Sequence, residues 1–281
     1  MKKKILLPTD FSKNARNAIN YAIKLYKEES CEFFILHTYY PGYAKNNLFN
    51  PPTDKKINEV KERTEINMEK LKTKIISNNE KSHHTFHFLN EFGSFNDVLK
   101  KNVTNENIQL IIMGTRGKTD DKNMILGSNA VNTMEKVRNC PVLTIPGDVI
   151  FNTPKEIVFP TSFKTHYKEN ELATLIEISR LTNAPIRVLH VQKSKILSEE
   201  QLIKKALLNQ ILETTNFTHH ELFSLNLQES VRCFAQSRES GMIAFINKKH
   251  VFFGSIFSSP MVKYLGQNAN VPILTLHDLR S

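Results

Sequence analysis

The chain has 281 residues, 40% of them apolar, and a formal net charge of +10. That is enough apolar material for one large core or two ordinary ones, which sets aside a disordered chain. No apolar run approaches the roughly 20 residues of a membrane span, and the excess Lys and Arg alternate with Glu along stretches such as 55–74, as on a solvated helix face rather than a specific nucleic-acid surface.

In chain order, residues 5–7 are a short buried strand that runs into Pro8-Thr9-Asp10-Phe11-Ser12. Ala15, Ala18, Ile19, Ala22, Ile23 and Tyr26 then recur at helical spacing, with Ser12 placed to cap the helix start. A strand over 33–37 leads into 39–54, a long loop with Pro41, Pro51 and Pro52, of a length that is often functional. A helix over 55–76 follows, its apolar stripe of Ile57, Val60, Ile66, Leu71 and Ile75 incomplete. Next come a strand over 85–89, a helix over 95–103 and a strand over 110–113. The loop Gly114-Thr115-Arg116-Gly117, nine further residues and Gly127-Ser128 open a helix over 128–137 and a strand at Val142. Strands separated by helices require crossover connections and a mainly parallel sheet covered on both faces.

The order then repeats. Pro8-Thr9-Asp10-Phe11 returns as Pro160-Thr161-Ser162-Phe163, and Phe34-Ile35-Leu36-His37 as Arg187-Val188-Leu189-His190. Gly127-Ser128 returns as Gly254-Ser255, and Pro141-Val142-Leu143-Thr144-Ile145 as Pro272-Ile273-Leu274-Thr275-Leu276. The chain is a tandem repeat with domains expected at 1–148 and 149–281. The second copy has strands near Ile157, Val188, 217–223, 242–246 and Ile273, and it is shorter between its second strand and the Gly-Ser step.

Asp10 and Gly114 each follow a strand directly, so both fall on the rim where open parallel sheets bind ligands. Glycines there admit close backbone approach, and a helix starting at Gly127-Ser128 aims unpaired N–H groups at an anion. Ser128 has a plain alternative as a helix N-cap, and Asp10 as a brace for its own turn. Lys118 and Lys122 reach toward phosphates or face water. Gly-x4-Gly-Lys-Ser/Thr and Gly-x-Gly-x2-Gly are both absent. The second copy has Ser162 in place of Asp10 and Ile246-Asn247-Lys248-Lys249-His250 in place of the glycine loop, so no binding residues are expected there.

Other features point away from chemistry. Cys31, Cys140 and Cys233 form no C-x-x-C pair, which argues against disulfides and structural zinc. His83-His84 and His219-His220 are neighbours, and adjacent strand side chains face opposite ways instead of chelating one ion. His37 and His190 end equivalent strands, which suggests a shared structural hydrogen bond. Phe252-Phe253 reads as core or as a partner-facing surface. Lys2, Lys3 and Lys4 lead straight into the first strand without a secretory leader, so a cytoplasmic protein is expected, without a membrane partner.

The spacing Gly-x2-Gly-x9-Gly-Ser, preceded by 110–113 and followed by Pro141 to Pro146, resembles the ATP-binding subgroup of the universal stress protein family. The resemblance implies an α/β fold of two tandem Rossmann-like open sheets, mainly parallel, with five strands each and flanking helices. The last strands would be adjacent, making a pseudo-dimer inside one chain. It implies that Pro8, Thr9 and Asp10 line the adenine end, with the main chain near Thr38, just past the second strand, on the base. Met113, Gly114, Arg116, Gly117, Gly127, Ser128, Asn129 and Ala130 match the positions that hold ribose and phosphates. The implied cofactor is ATP or AMP, with Mg2+. The implied role is stress adaptation through nucleotide-dependent interaction with a protein partner, with a homodimer of the tandem chain as a further assembly. Two alternatives stand beside it: a slow ATPase or phosphotransferase drawing on Asp120 and Asp121, and an interaction scaffold without nucleotide.

Overall fold

The computed structural model describes residues 2–40, 53–80, 82–115, 127–192, 196–223, 226–247 and 270–277. Its first half runs β1 (Lys3–Pro8), α1 (Lys13–Leu25), β2 (Cys31–Tyr39), α2 (Asp54–Asn78), β3 (Thr85–Phe92), α3 (Phe95–Asn105), β4 (Leu110–Gly114), α4 (Ser128–Lys136) and β5 (Val142–Ile145). The second runs β6 (Ile157–Thr161), α5 (Glu169–Thr182), β7 (Ile186–Gln192), α6 (Glu199–Leu212), β8 (Phe217–Phe223), α7 (Leu227–Ser237), β9 (Met242–Asn247) and β10 (Ile273–His277).

The ten strands form one sheet in the order β3-β2-β1-β4-β5-β10-β9-β6-β7-β8. Within each half every pairing is parallel, and the halves meet where β5 and β10 pair antiparallel, Thr144 opposite Ile273 and Val142 opposite Thr275. The two last strands are therefore neighbours, as expected, and their pairing leaves neither as an open edge.

Period-two alternation assigns the faces. Ile5 and Leu7 point to one core with Ala18, Ala22, Met68 and Leu71 of α1 and α2, and Ile157 and Phe159 belong to that same core. Leu6 and Val158 belong to the opposite one, with Leu99, Met134 and Val231 of α3, α4 and α7. Equivalent helices of the two halves thus cover the same face, so an approximate two-fold axis normal to the sheet relates them. The carboxyl ends of the strands point in opposite directions in the two halves.

Several elements outrun their sequence-derived bounds. β2 extends through Thr38 and Tyr39 because β3 supplies a partner as far as Phe92. Polar residues do not end a strand while the ladder continues. The shortening of the second copy extends into its helix, since α2 has 25 residues and α6 has 14. His219 and His220 on β8 do face apart, His219 toward Phe163 and Asn209 and His220 toward Phe234. Among the described residues no three His, Cys, Asp or Glu side chains gather as a metal site, and no helix is long and apolar enough to cross a membrane.

Candidate functional site

From β1 the chain steps outward to β2 and β3, then returns to place β4 on the other side of β1. The helices that follow β1 and β4 therefore leave to opposite faces and open a cleft beyond the strand ends. The cleft is a cavity of about 600 Å3, ample for a nucleotide. Pro8, Thr9, Asp10, Thr38, Met113, Gly114, Gly127, Ser128, Asn129 and Ala130 all line it. Arg116 and Gly117 lie outside the described residues, as do Lys118, Asp120, Asp121 and Lys122.

The turn after β1 is built from side chain to backbone hydrogen bonds. Thr9 Oγ1 accepts the Phe11 amide at 3.1 Å, Asp10 Oδ1 the Ser12 amide at 2.9 Å, and Ser12 Oγ the Ala15 amide at 3.1 Å. Together they hold Phe11 at φ 62°, a left-handed conformation that costs an ordinary residue about 1–2 kcal/mol. His37 Nδ1 lies 2.7 Å from the Thr9 carbonyl, and its ring packs on Phe11 at 4.3 Å. The second half repeats the arrangement. Phe163 stands at φ 55°, Thr161 Oγ1 accepts its amide at 3.3 Å, and His190 Nδ1 lies 2.8 Å from the Thr161 carbonyl. The two histidines thus share the structural role suggested by their positions. Asp10 does brace its turn, and the turn persists where Ser162 replaces it, so bracing alone does not call for a carboxylate.

Two readings of the glycine loop change. A Cβ on Gly114 would stand 3.1 Å from the Asn14 carbonyl oxygen, so its close backbone approach is made to the first turn of α1. Gly127, not Ser128, is the N-cap of α4, and no side chain caps that helix. The Gly127 amide is committed to the Thr115 carbonyl at 2.5 Å, which ties the two ends of the loop together. The Ser128 hydroxyl therefore has no capping role. The amides an α-helix leaves without intrahelical partners fall at Ser128, Asn129 and Ala130, all on the cavity.

Thr38 contributes through strand parity. Leu36 faces β1, its carbonyl accepting the Thr9 amide at 2.8 Å, and in a parallel ladder residues two apart face the same neighbour. Thr38 sits inside β2 rather than past its end, and its N–H and C=O turn toward β1 one step beyond the last β1 residue. A donor and an acceptor on the strand edge thus open onto the cavity.

Sequence reasoning missed the wall supplied by α2. Arg63, Thr64 and Asn67 line the cavity, and Thr64 fixes the helix in place by accepting from Asn90 Nδ2 at 3.0 Å and donating to the Lys61 carbonyl at 2.9 Å. Arg63 and Asn67 flank the buried stripe of Thr64, Met68, Leu71 and Ile75, and no local pattern separates them from ordinary solvated positions. Asp10 and Arg63 are the charged residues among the described lining.

In the second half, side chains gather around the equivalent turn. Phe163 is 1% exposed and Thr161 6%, and the Tyr167 hydroxyl hydrogen-bonds Thr161 Oγ1. Burial pushes the Tyr167 phenol up to about 12 despite that bond. Gln201 of α6 donates to the Ser162 carbonyl at 2.8 Å, and the Lys205 ammonium lies 5.6 Å from the centre of the Phe163 ring. Residues 248–269, with Phe252-Phe253 and Gly254-Ser255, lie outside the described residues.

The model of the universal stress protein family matches residues 1–146. A universal stress protein of Methanocaldococcus jannaschii is 31% identical over 161 residues, 52% of this chain and 95% of that protein. The crystal structure of a universal stress protein from Archaeoglobus fulgidus superimposes with a TM-score of 0.67 at 16% identity, covering 97% of this chain and 95% of that one. At that identity the likeness is one of fold, and it extends over both halves.

Proposed function

The chain belongs to the universal stress protein family, and from that premise we propose that residues 1–148 form a domain that binds an adenine nucleotide, ATP or AMP with Mg2+. Residues 149–281 form a degenerate partner domain that supplies the β5–β10 interface. The observation that carries this reading is the convergence of ten residues from four separate stretches of chain on one cavity.

The chemistry around the cavity fits such a ligand. Three helix-terminal amides at Ser128, Asn129 and Ala130, together with the positive end of the α4 dipole, suit phosphate oxygens. The edge N–H and C=O of Thr38 suit the N1 acceptor and N6 amino donor of adenine. Asp10 lies between these two ends, where a ribose hydroxyl can donate to it. Mg2+, when bound, would neutralise phosphate charge. Asp10 is the one carboxylate among the described lining, and it already braces its own turn, an arrangement better suited to holding a nucleotide than to activating water. Occupancy then acts as a signal, through different affinities of the filled and empty states for a protein partner in stress adaptation. A homodimer of the tandem chain belongs to the same reading.

Mass spectrometry of protein purified without added nucleotide tests it. About one equivalent of adenine nucleotide per chain is expected, and protein that is both empty and silent to ATP titration overturns the proposal.

A further inference from the structure

The cavity has a direction. The helix-terminal amides of α4 lie on the β4 side of the switch point, and the Thr38 edge lies at β2 on the other side. A nucleotide with phosphates at α4 and its Watson–Crick edge at Thr38 therefore carries its base toward β2 and β3, beneath α2. That helix packs on those two strands and lines the cavity with Arg63 and Asn67, which are four residues apart and share one side of the helix.

Neither side chain is engaged by the described protein. Arg63 makes no ion pair or hydrogen bond among the described residues, although acids are plentiful along α2, and the Asn67 amide, half-buried, is likewise without a partner there. Thr64 between them is anchored to β3 through Asn90, so the wall is held at a fixed height over the strands.

We propose that Asn67 and Arg63 are the base-reading residues of this site. The Asn67 carboxamide donates to N7 and accepts from the N6 amino group of adenine, and the Arg63 guanidinium lies against the face of the base. An amide matches that pair of groups with one donor and one acceptor in a plane, whereas guanine presents two acceptors, N7 and O6, and leaves the amide oxygen facing an oxygen. A guanidinium attracts the π-face of either purine. Asn67 therefore sets the choice of base, and Arg63 sets affinity without choosing. This inference rests on the nucleotide reading above.

The test pairs an altered ligand with altered protein, titrating ATP, GTP and 7-deaza-ATP, in which a C–H replaces N7. Wild type should bind 7-deaza-ATP about tenfold more weakly than ATP, the loss expected for one buried hydrogen bond. Asn67→Leu should bind ATP and 7-deaza-ATP equally and lose most of its preference over GTP. Arg63→Gln should weaken ATP and GTP alike, about five- to tenfold, and leave their ratio unchanged. The wild-type comparison alone needs no variant to fold. A wild type that binds ATP and 7-deaza-ATP equally, or an Asn67→Leu protein that keeps the gap, overturns this inference and leaves the nucleotide reading standing. A wild type that binds none of the three overturns both.

Discussion

Acid should unlatch the second half of the chain at one residue, Glu156. Its carboxylate is 7% exposed and takes four hydrogen bonds: Arg238 Nε at 2.7 Å and Ser240 Oγ at 2.8 Å on one oxygen, Arg187 Nε at 2.7 Å and Arg238 Nη2 at 2.9 Å on the other. Burial by itself would raise its pKa, but the bonds from Arg238, Arg187 and Ser240 outweigh burial and hold the carboxyl at about 2, against 4.5 for the free side chain. A depressed carboxylate stabilises the fold fully above its unfolded value, and the contribution fades as pH falls toward the folded value. A displacement of that size corresponds to about 3 kcal/mol at neutral pH, of which about 2 kcal/mol is gone by pH 3. Glu156→Gln removes the charge while two guanidiniums remain, so it should cost about 3 kcal/mol at pH 7. Urea unfolding followed by circular dichroism between pH 7 and pH 3 measures both effects. The variant should lose less stability than wild type over that range, by about 2 kcal/mol. Parallel pH profiles for the two proteins would refute the assignment, because the acid sensitivity would then belong to other groups.

Three further outcomes test the site and the seam. Ser12→Ala removes a working N-cap and should cost about 1 kcal/mol, whereas Ser128→Ala should leave thermal stability unchanged and weaken nucleotide binding measured by calorimetry. Asp10→Asn retains an oxygen for the Ser12 amide but loses the charge, so it should keep the melting temperature and lose at least about tenfold in ATP affinity; Ser162→Ala should change neither, and equal affinity losses from the two would refute the assignment of binding to the first copy. Leu143→Ala, fully buried at the seam opposite Leu274, should destabilise by about 2–5 kcal/mol in denaturant unfolding; a loss under 1 kcal/mol would show that the seam adds little to the stability of the chain.

The elements that could be read in advance are those whose signal is local. Leu6 flanked by Ile5 and Leu7 identifies a strand buried on both faces, because side chains alternate with a fixed period of two. Ser12 and the apolar spacing behind it identify α1, since cap and stripe both lie within a few turns. The return of Pro-Thr-x-Phe identifies the duplication, and with it the same left-handed phenylalanine turn in both halves. Gly127-Ser128 located the start of α4 at Ser128, whereas the capping position falls one residue earlier, on Gly127, whose amide donates a hydrogen bond to the Thr115 carbonyl across the loop.

What the chain dictates by itself is therefore its list of strands, helices and turns, its duplication, and the glycine and acidic residues that fall at the ends of β1 and β4. Tertiary structure decided how these were used. It spent the Gly114 approach on α1, turned the Thr38 edge into the cleft, lowered Arg63 and Asn67 over it, gathered two arginines on Glu156, and set Tyr167 on Thr161 in the second copy. The reason is one of range: backbone periodicity and capping act over a few residues, whereas strand order, helix tilt and burial are fixed by packing between segments far apart in the chain.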